Sequence, residues 1–161
     1  MGAVKVETNI ENKVLRRQKM LFQLCYASKT TAPAHRVLID LLDILGEARN
    51  FNAKHQINGV LYFADEYFFQ CIEGDDVTIL QLLEKLKTDA RHQDMKILCQ
   101  KNIEQHHFSQ WSMKYVQRNS LIQQFFKDKG ETGFKPIDLT ENDLSELLEL
   151  LYEIDQTELS Q

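Results

Sequence analysis

Gln70 is the residue whose chemistry is hardest to explain as packing alone. It lies in Tyr67-Phe-Phe-Gln-Cys-Ile-Glu-Gly74, a strand-like run whose period-two alternation puts it on one face with Phe68 and Ile72. A primary amide among apolar neighbours needs hydrogen-bond partners, because leaving a polar group bare costs roughly 1–3 kcal/mol. The amide can present either its oxygen or its NH2 group. A tyrosine hydroxyl and a polar-edged cofactor would satisfy it and would make it a switch. Tyr26, on an earlier strand-like run with Leu24 and Ser28 on the same face, supplies such a hydroxyl. Trp111-Ser-Met113, on a later run, alternates Trp111 and Met113 onto one expected strand face, followed by Tyr115.

The elements needed to carry these residues follow from periodicity. Leu21 to Ser28 alternates as a strand. Leu38, Leu41, Leu42, Leu45 and Ala48 mark one helix face. Ile57 to Ala64 and Tyr67 to Gly74 form two strands joined at Asp65-Glu66, a hairpin that lacks the favoured Asn-Gly pair. Ile79, Leu82, Leu83 and Leu86 mark a second helix capped by Asp75 or Asp76. Strands are expected around Lys96–Asn102 and His107–Val116. The resulting βαββαββ order predicts an α+β, ferredoxin-like sandwich with both helices on one sheet face. Two C-terminal helices then form a cap on the sheet. The first is short, near Leu121–Lys127. In the second, Thr140 and Asp143 form a capping box, Leu139 and Leu144 a hydrophobic staple, and Leu144, Leu147, Leu148 and Leu151 a stripe. That stripe is expected on the sheet face opposite the other helices. The domain reading is an N-terminal extension, flexible, over 1–19, a folded domain over 20–117 and a helical extension over 118–161.

Composition limits the function classes. The chain has 161 residues, 43% hydrophobic and 27% charged, which fits one globular domain with a real core. A net charge of −5 argues against nucleic acid as the main partner. No apolar run approaches the ~20 residues that span a bilayer, and residues 1–20 carry no secretory signal pattern, so a cytoplasmic address and no membrane partner are expected. Cys25, Cys71 and Cys99 contain no CxxC pair and read as small buried hydrophobes. The histidines offer no metal set: adjacent His106 and His107 would point to opposite strand faces. No glycine-rich phosphate loop occurs.

Six blocks resemble, in order and spacing, the BLUF family of blue-light sensors that use FAD. They are Leu24-Cys-Tyr26-Ala-Ser28, Ala48-Arg-Asn-Phe-Asn52, Ile57-Asn-Gly59-Val-Leu61, Phe68-Phe-Gln70-Cys-Ile-Glu-Gly74, Asp89-Ala-Arg91-His92 and Phe108-Ser-Gln-Trp111-Ser-Met113. The likeness runs from about Met20 to Val116. Gly133-Phe-Lys-Pro136 and the helix after it look like the tail of the short, single-domain members.

What the resemblance implies is specific. FAD would wedge between the two helices, contacted by Tyr26, Ser28, Asn52, Gln70, Arg91 and His92, with the last two near the ribityl-phosphate part. Phe51 departs from the family pattern and is an aromatic that could stack on adenine. Light would drive electron and proton transfer from Tyr26 to FAD, and Gln70 would rearrange its hydrogen bond by rotation or tautomerisation. Tyr26, Gln70, Trp111 and Met113 form the expected photoactive switch. The signal would pass through the last strand and the C-terminal helices to an unidentified protein partner, with a homo-oligomer as another form of output. No effector domain is expected in the chain, and no enzymatic activity. The alternatives are a flavin oxidoreductase or a cofactor-free regulatory module with a core Tyr–Gln bond; spectroscopy separates all three.

Overall fold

The protein's structure, a computed structural model, describes residues 20–159. The extension expected over 1–19 lies outside them. The elements are β1 (Leu21–Thr30), α1 (Val37–Lys54), β2 (Asn58–Ala64), β3 (Tyr67–Asp75), α2 (Asp76–Lys87), β4 (His92–Asn102), β5 (Lys114–Gln117), α3 (Ser120–Asp128), a 3-10 turn at Pro136–Asp138, and α4 (Glu141–Glu153). They form an α+β fold around one five-stranded sheet of order β4-β1-β3-β2-β5. Strand β1 is antiparallel to β3 and β4, β2 is antiparallel to β3, and β5 joins β2 in parallel.

Alternation along the strands divides the core in two. Leu24, Leu61, Phe68, Ile72, Met113 and Tyr115 pack under Leu41 and Leu45 of α1 and Ile79 and Leu83 of α2. Cys25, Val60, Tyr62, Phe69, Cys71 and Val116 pack on the other face against Ile122 and Phe126 of α3 and the leucine stripe of α4. The stripe is therefore where its spacing put it. Leu38 is not: it is 55% exposed, outside the face that Leu41 and Leu45 bury.

Local chemistry fixes the element ends. The Asp75 carboxylate accepts from the Thr78 N–H at the start of α2. Thr140 and Asp143 complete a reciprocal capping box on α4. The Asp65-Glu66 hairpin places both residues at positive φ, 50° and 71°, as a tight two-residue turn matched to strand twist requires. Asp65 also accepts from the Phe134 N–H at 2.8 Å, so the turn holds the C-terminal segment.

One expected element is corrected. The strand over His107–Val116 is only β5, Lys114–Gln117, and residues 103–113 form a loop. Trp111 and Met113 accordingly share no strand face. Trp111 packs on the α4 side, Met113 on the α1/α2 side. Nor do His106 and His107 point to opposite faces of a strand. The physical reason is that side chains satisfy the backbone of this stretch in place of a ladder. Glu73 takes the N–H groups of His107 and Phe108, Asn58 and Asn52 donate to Trp111 and Ser112 carbonyls, and Arg49 donates to that of Met113.

Cys25, Cys71 and Cys99 turn out to be register partners, a row across three adjacent strands. All three are free. Hydrogen bonding to Cys71 and burial push the Cys25 thiol up, burial does the same to Cys71, and hydrogen bonding to Cys25 together with burial raises Cys99. Protonated thiols of this kind are poor nucleophiles.

Candidate functional site

Tyr26 and Gln70 are direct cross-strand partners on β1 and β3. Both side chains rise on the face covered by α1 and α2, and both are buried. Tyr26 Oη donates to Gln70 Oε1. Among the described residues Gln70 Nε2 donates only to Met113 Sδ, at 3.8 Å. A thioether is a weak acceptor, so the amide NH2 is under-satisfied for a group so deeply buried. Burial pushes the Tyr26 phenol well above its ordinary value, and the negative charge of Asp89 adds to the shift. The phenol therefore keeps its proton throughout the neutral range.

Gln70 forms part of the lining of a cavity of about 210 Å³ between the two helices. Ile44, Ala48 and Phe51 of α1 face Leu82 and Leu86 of α2 across it, and Asn52 supplies a second amide. Asn52 is buried in the last turn of α1, where its Nδ2 donates to the Ser112 carbonyl at 2.7 Å. One turn back on α1, Arg49 Nε donates to the Met113 carbonyl at 3.0 Å. The two side chains tie α1 to the segment that carries Met113.

Arg91 stands at the cavity rim. Its guanidinium bonds Asp89 at 2.7 Å and reaches across to Glu47 of α1 at 2.8 Å. Those carboxylates, Asp89 foremost, raise its pKa further and hold it cationic. Phe51 stacks on His55 with centroids 4.0 Å apart, and Lys85 Nζ lies 5.1 Å from its ring. Tyr26, Ser28 and His92 do not line the cavity; Tyr26 reaches it only through Gln70. His92 Nε2–H donates to the Leu86 carbonyl at 2.7 Å, and its Nδ1 shares a 2.8 Å hydrogen bond with the Ser28 hydroxyl. The imidazole sits 6.2 Å from the Tyr26 ring, so the pair buttresses Tyr26 from the side.

The donor set suits a flavin. Apolar helix walls match a planar ring, the Gln70 and Asn52 amides match its heteroatom edge, and Arg91 and Lys85 match phosphate. At about 210 Å³ the cavity is smaller than the roughly 300–1,000 Å³ of ordinary ligand pockets, and the cations stand at its rim.

Trp111 is not brought to Gln70. It lies on the opposite face, 6.1 Å from the Tyr152 ring and under the ammonium of Lys114, 4.2 Å away. Lys114 itself was not singled out by sequence reasoning, nor were Glu47, Arg49 and Glu73. A lysine and a glutamate inside otherwise apolar strand runs, and an arginine three residues from Asn52 on one helix face, were the signals available.

The family model for sensors of blue light using FAD matches residues 21–114. The ground-state structure of BlsA is similar at 46% identity, covering 86% of this chain and 92% of that one, with a TM-score of 0.83. The dark-state structure of BlrB is similar at 26% identity, 83% and 96% coverage, and a TM-score of 0.70. The alpha subunit of the photoactivated adenylate cyclase of Euglena gracilis is 29% identical over 97 residues, 60% of this chain. Those residues are 10% of that protein, so the chain spans about a tenth of this curated relative. Among the described residues, no helix is long and apolar enough to cross a membrane. The chain belongs to the BLUF family, the sensors of blue light using FAD.

Proposed function

We propose that this chain is a blue-light receptor in which Tyr26 and Gln70 form the switch, and in which β5 and α4 carry the result to a separate protein. The carrying observation is the Gln70 amide, whose oxygen accepts from Tyr26 and whose NH2, among the described residues, donates only to a thioether. FAD, when bound, supplies the blue absorption and an oxidant for a nearby phenol. Asn52 and Gln70 would hold the ring, Arg91 and Lys85 the phosphates, with Phe51 on the wall.

The chain's own part follows from its hydrogen bonds. Oxidising a phenol makes its proton strongly acidic, and Tyr26 Oη already points that proton at Gln70 Oε1. That proton, with the electron, would pass through the amide to bound FAD and return to Tyr26 on recombination, and the amide would reorganise in between by rotation or tautomerisation. Either route changes which group Gln70 offers to Met113. Met113 is joined through Lys114 to α4, because Lys114 Nζ donates to the Tyr152 carbonyl at 2.8 Å. Residues beyond α4 return to β5, where the Thr157 N–H donates to the Tyr115 carbonyl at 2.8 Å. Exposed Glu146, Glu149 and Glu153 on α4 border a groove of about 1050 Å³ and suit a protein partner of opposite charge.

Magnitudes constrain the output. One rearranged hydrogen bond contributes about 1–3 kcal/mol. Inverting a 1:99 population takes about 5.5 kcal/mol. The switch therefore acts by repacking the 103–113 loop, β5 and α4 together, or through an oligomer that adds small biases.

Absorption spectra in darkness and under blue light test the reading. The expected protein is yellow, with a small reversible red shift lost in Gln70→Leu and Tyr26→Phe. A colourless protein, or one that bleaches and turns over an electron donor, overturns it.

A further inference from the structure

We infer that Glu73 is a positioning residue for the light response: with its cross-strand partner Asn58 it grips residues 107–111 and so sets where Trp111 and Met113 stand in darkness. The inference rests on the proposed receptor function and adds a fixed end to its relay.

Glu73 is completely buried on the face away from Gln70. Its neighbours are hydrogen-bond donors, with no cation paired to it among the described residues. Oε1 accepts from the backbone N–H groups of His107 and Phe108, at 2.8 and 2.9 Å. Oε2 accepts from Gln23 Nε2 at 3.1 Å. A buried, unpaired carboxylate is costly and persists only where its oxygens are well used. Here two of its three donors belong to a loop that has no ladder of its own.

Asn58 lies opposite Glu73 in the β2–β3 register. Its Nδ2 donates to the carbonyls of Trp111 at 3.1 Å and Ser109 at 3.4 Å. The Gly59 N–H adds a third bond, to the Trp111 carbonyl at 3.2 Å. An acceptor and a donor side by side thus hold the N–H groups at one end of the turn and the carbonyls at the other. Within the turn, the Trp111 N–H donates to the Phe108 carbonyl at 3.0 Å. Two residues beyond Trp111, Met113 meets Gln70 on the other sheet face. A shift of the gripped turn is therefore felt on both sides of the sheet.

Gln23 sharpens the argument. Its Oε1 is buried without a partner among the described residues, because its amide is turned to give NH2 to the carboxylate. A glutamine at position 73 would keep the grip: its oxygen takes the two backbone N–H groups, and its NH2 donates to the Gln23 oxygen once the Gln23 amide turns over. An alanine removes the grip entirely.

The test uses the full chain loaded with FAD, in the native form and as Glu73→Gln, Glu73→Ala and Asn58→Ala. Trp111 is the chain's one tryptophan, so its emission reports the turn directly, in darkness and without any light response. Expected are a shifted Trp111 emission and a dark recovery altered about tenfold, the rate effect of roughly one lost hydrogen bond, in Glu73→Ala and Asn58→Ala. Glu73→Gln stays within about twofold of the native protein. Native emission and recovery in folded, yellow Glu73→Ala or Asn58→Ala overturns the inference, as does a Glu73→Gln protein as disturbed as Glu73→Ala. Should Glu73→Ala fail to fold, half-buried Asn58 decides by the same readouts. If the native protein lacks a light response, the receptor reading fails by itself, while the emission of the variants still reports the grip.

Discussion

Lys114 donates to the carbonyl oxygen of Tyr152 at 2.8 Å, binding a buried strand ammonium to the last turn of α4. The same ammonium lies 4.2 Å from the Trp111 ring centroid. It is the one side-chain hydrogen bond among the described residues that joins β5 to α4. A hydrogen bond from a charged donor contributes about 1.5–3 kcal/mol, but burying the charge offsets part of it.

Lys114→Met should therefore lose little stability, about 1 kcal/mol in urea unfolding. Its main effect is expected on transmission. In the native protein, blue light should raise hydrogen exchange across residues 105–155. In Lys114→Met the red shift should remain, while the exchange change over 141–153 should shrink to the experimental error. A native α4 response in that variant would route the signal elsewhere.

Buried thiols and phenols together set the alkaline limit of stability. Burial pushes Tyr62 and Tyr115 up to about 12, and Tyr26 higher still. The unfolded chain releases these protons near pH 10, whereas the folded chain keeps them to about 12. Above pH 10 the unfolded state binds fewer protons, so stability falls as pH rises. Lys114 works in the opposite sense: burial lowers its pKa, so its cost to the fold eases as pH climbs towards its ordinary range. Urea midpoints should begin to fall above about pH 8.5, where the unfolded chain releases the three raised thiols, and fall further between about 10 and 12. Tyr62→Phe should flatten the drop, and an unchanged slope would reject the assignment.

Much of this was legible in the sequence because it is local. The α4 capping box and stripe occupy consecutive turns of one helix, and Tyr26 and Gln70 sit in strands whose alternation is unbroken. The 103–113 loop was not legible. Trp111 and Met113, with Tyr115 after them, alternate as a strand's would, but the loop's backbone partners are side chains of Glu73, Asn58, Asn52 and Arg49, 34 to 64 residues away for the contacts that define it. The cysteine row was hidden for the same reason, since register is a property of paired strands. Arg91 and His92, adjacent in the chain, part company because Arg91 faces the cavity rim while His92 begins β4 beside Tyr26.

Gly59 is required by close approach. A Cβ built there would overlap the Cys71 carbonyl oxygen, a backbone atom in the paired strand. Gly59→Ala should separate β2 from β3 and weaken the Gly59–Trp111 bond, with a loss of about 1–3 kcal/mol. Thermal or urea unfolding measures it. A native midpoint would mean that the strands yield freely at this point.

Arg91 gives the sharpest test of where the cofactor's phosphates lie. Its side chain bridges Asp89 and Glu47, so phosphate would have to share or displace those carboxylates. Glu47 is the weaker holder: its side chain is 66% exposed against 19% for Asp89, and exposed pairs contribute little. Arg91→Ala should lower FAD affinity by about tenfold, the equivalent of one charge-assisted bond. Glu47→Gln should raise it by a few-fold, since it frees one edge of the guanidinium and removes a negative charge that repels phosphate. Titrating flavin fluorescence against the apoprotein at two ionic strengths measures both. The Glu47 gain should fade at high salt, because an exposed charge is screened. If Glu47→Gln instead weakens binding, the Arg91–Glu47 bridge is part of the holding site, and the phosphates lie inside it rather than at its rim.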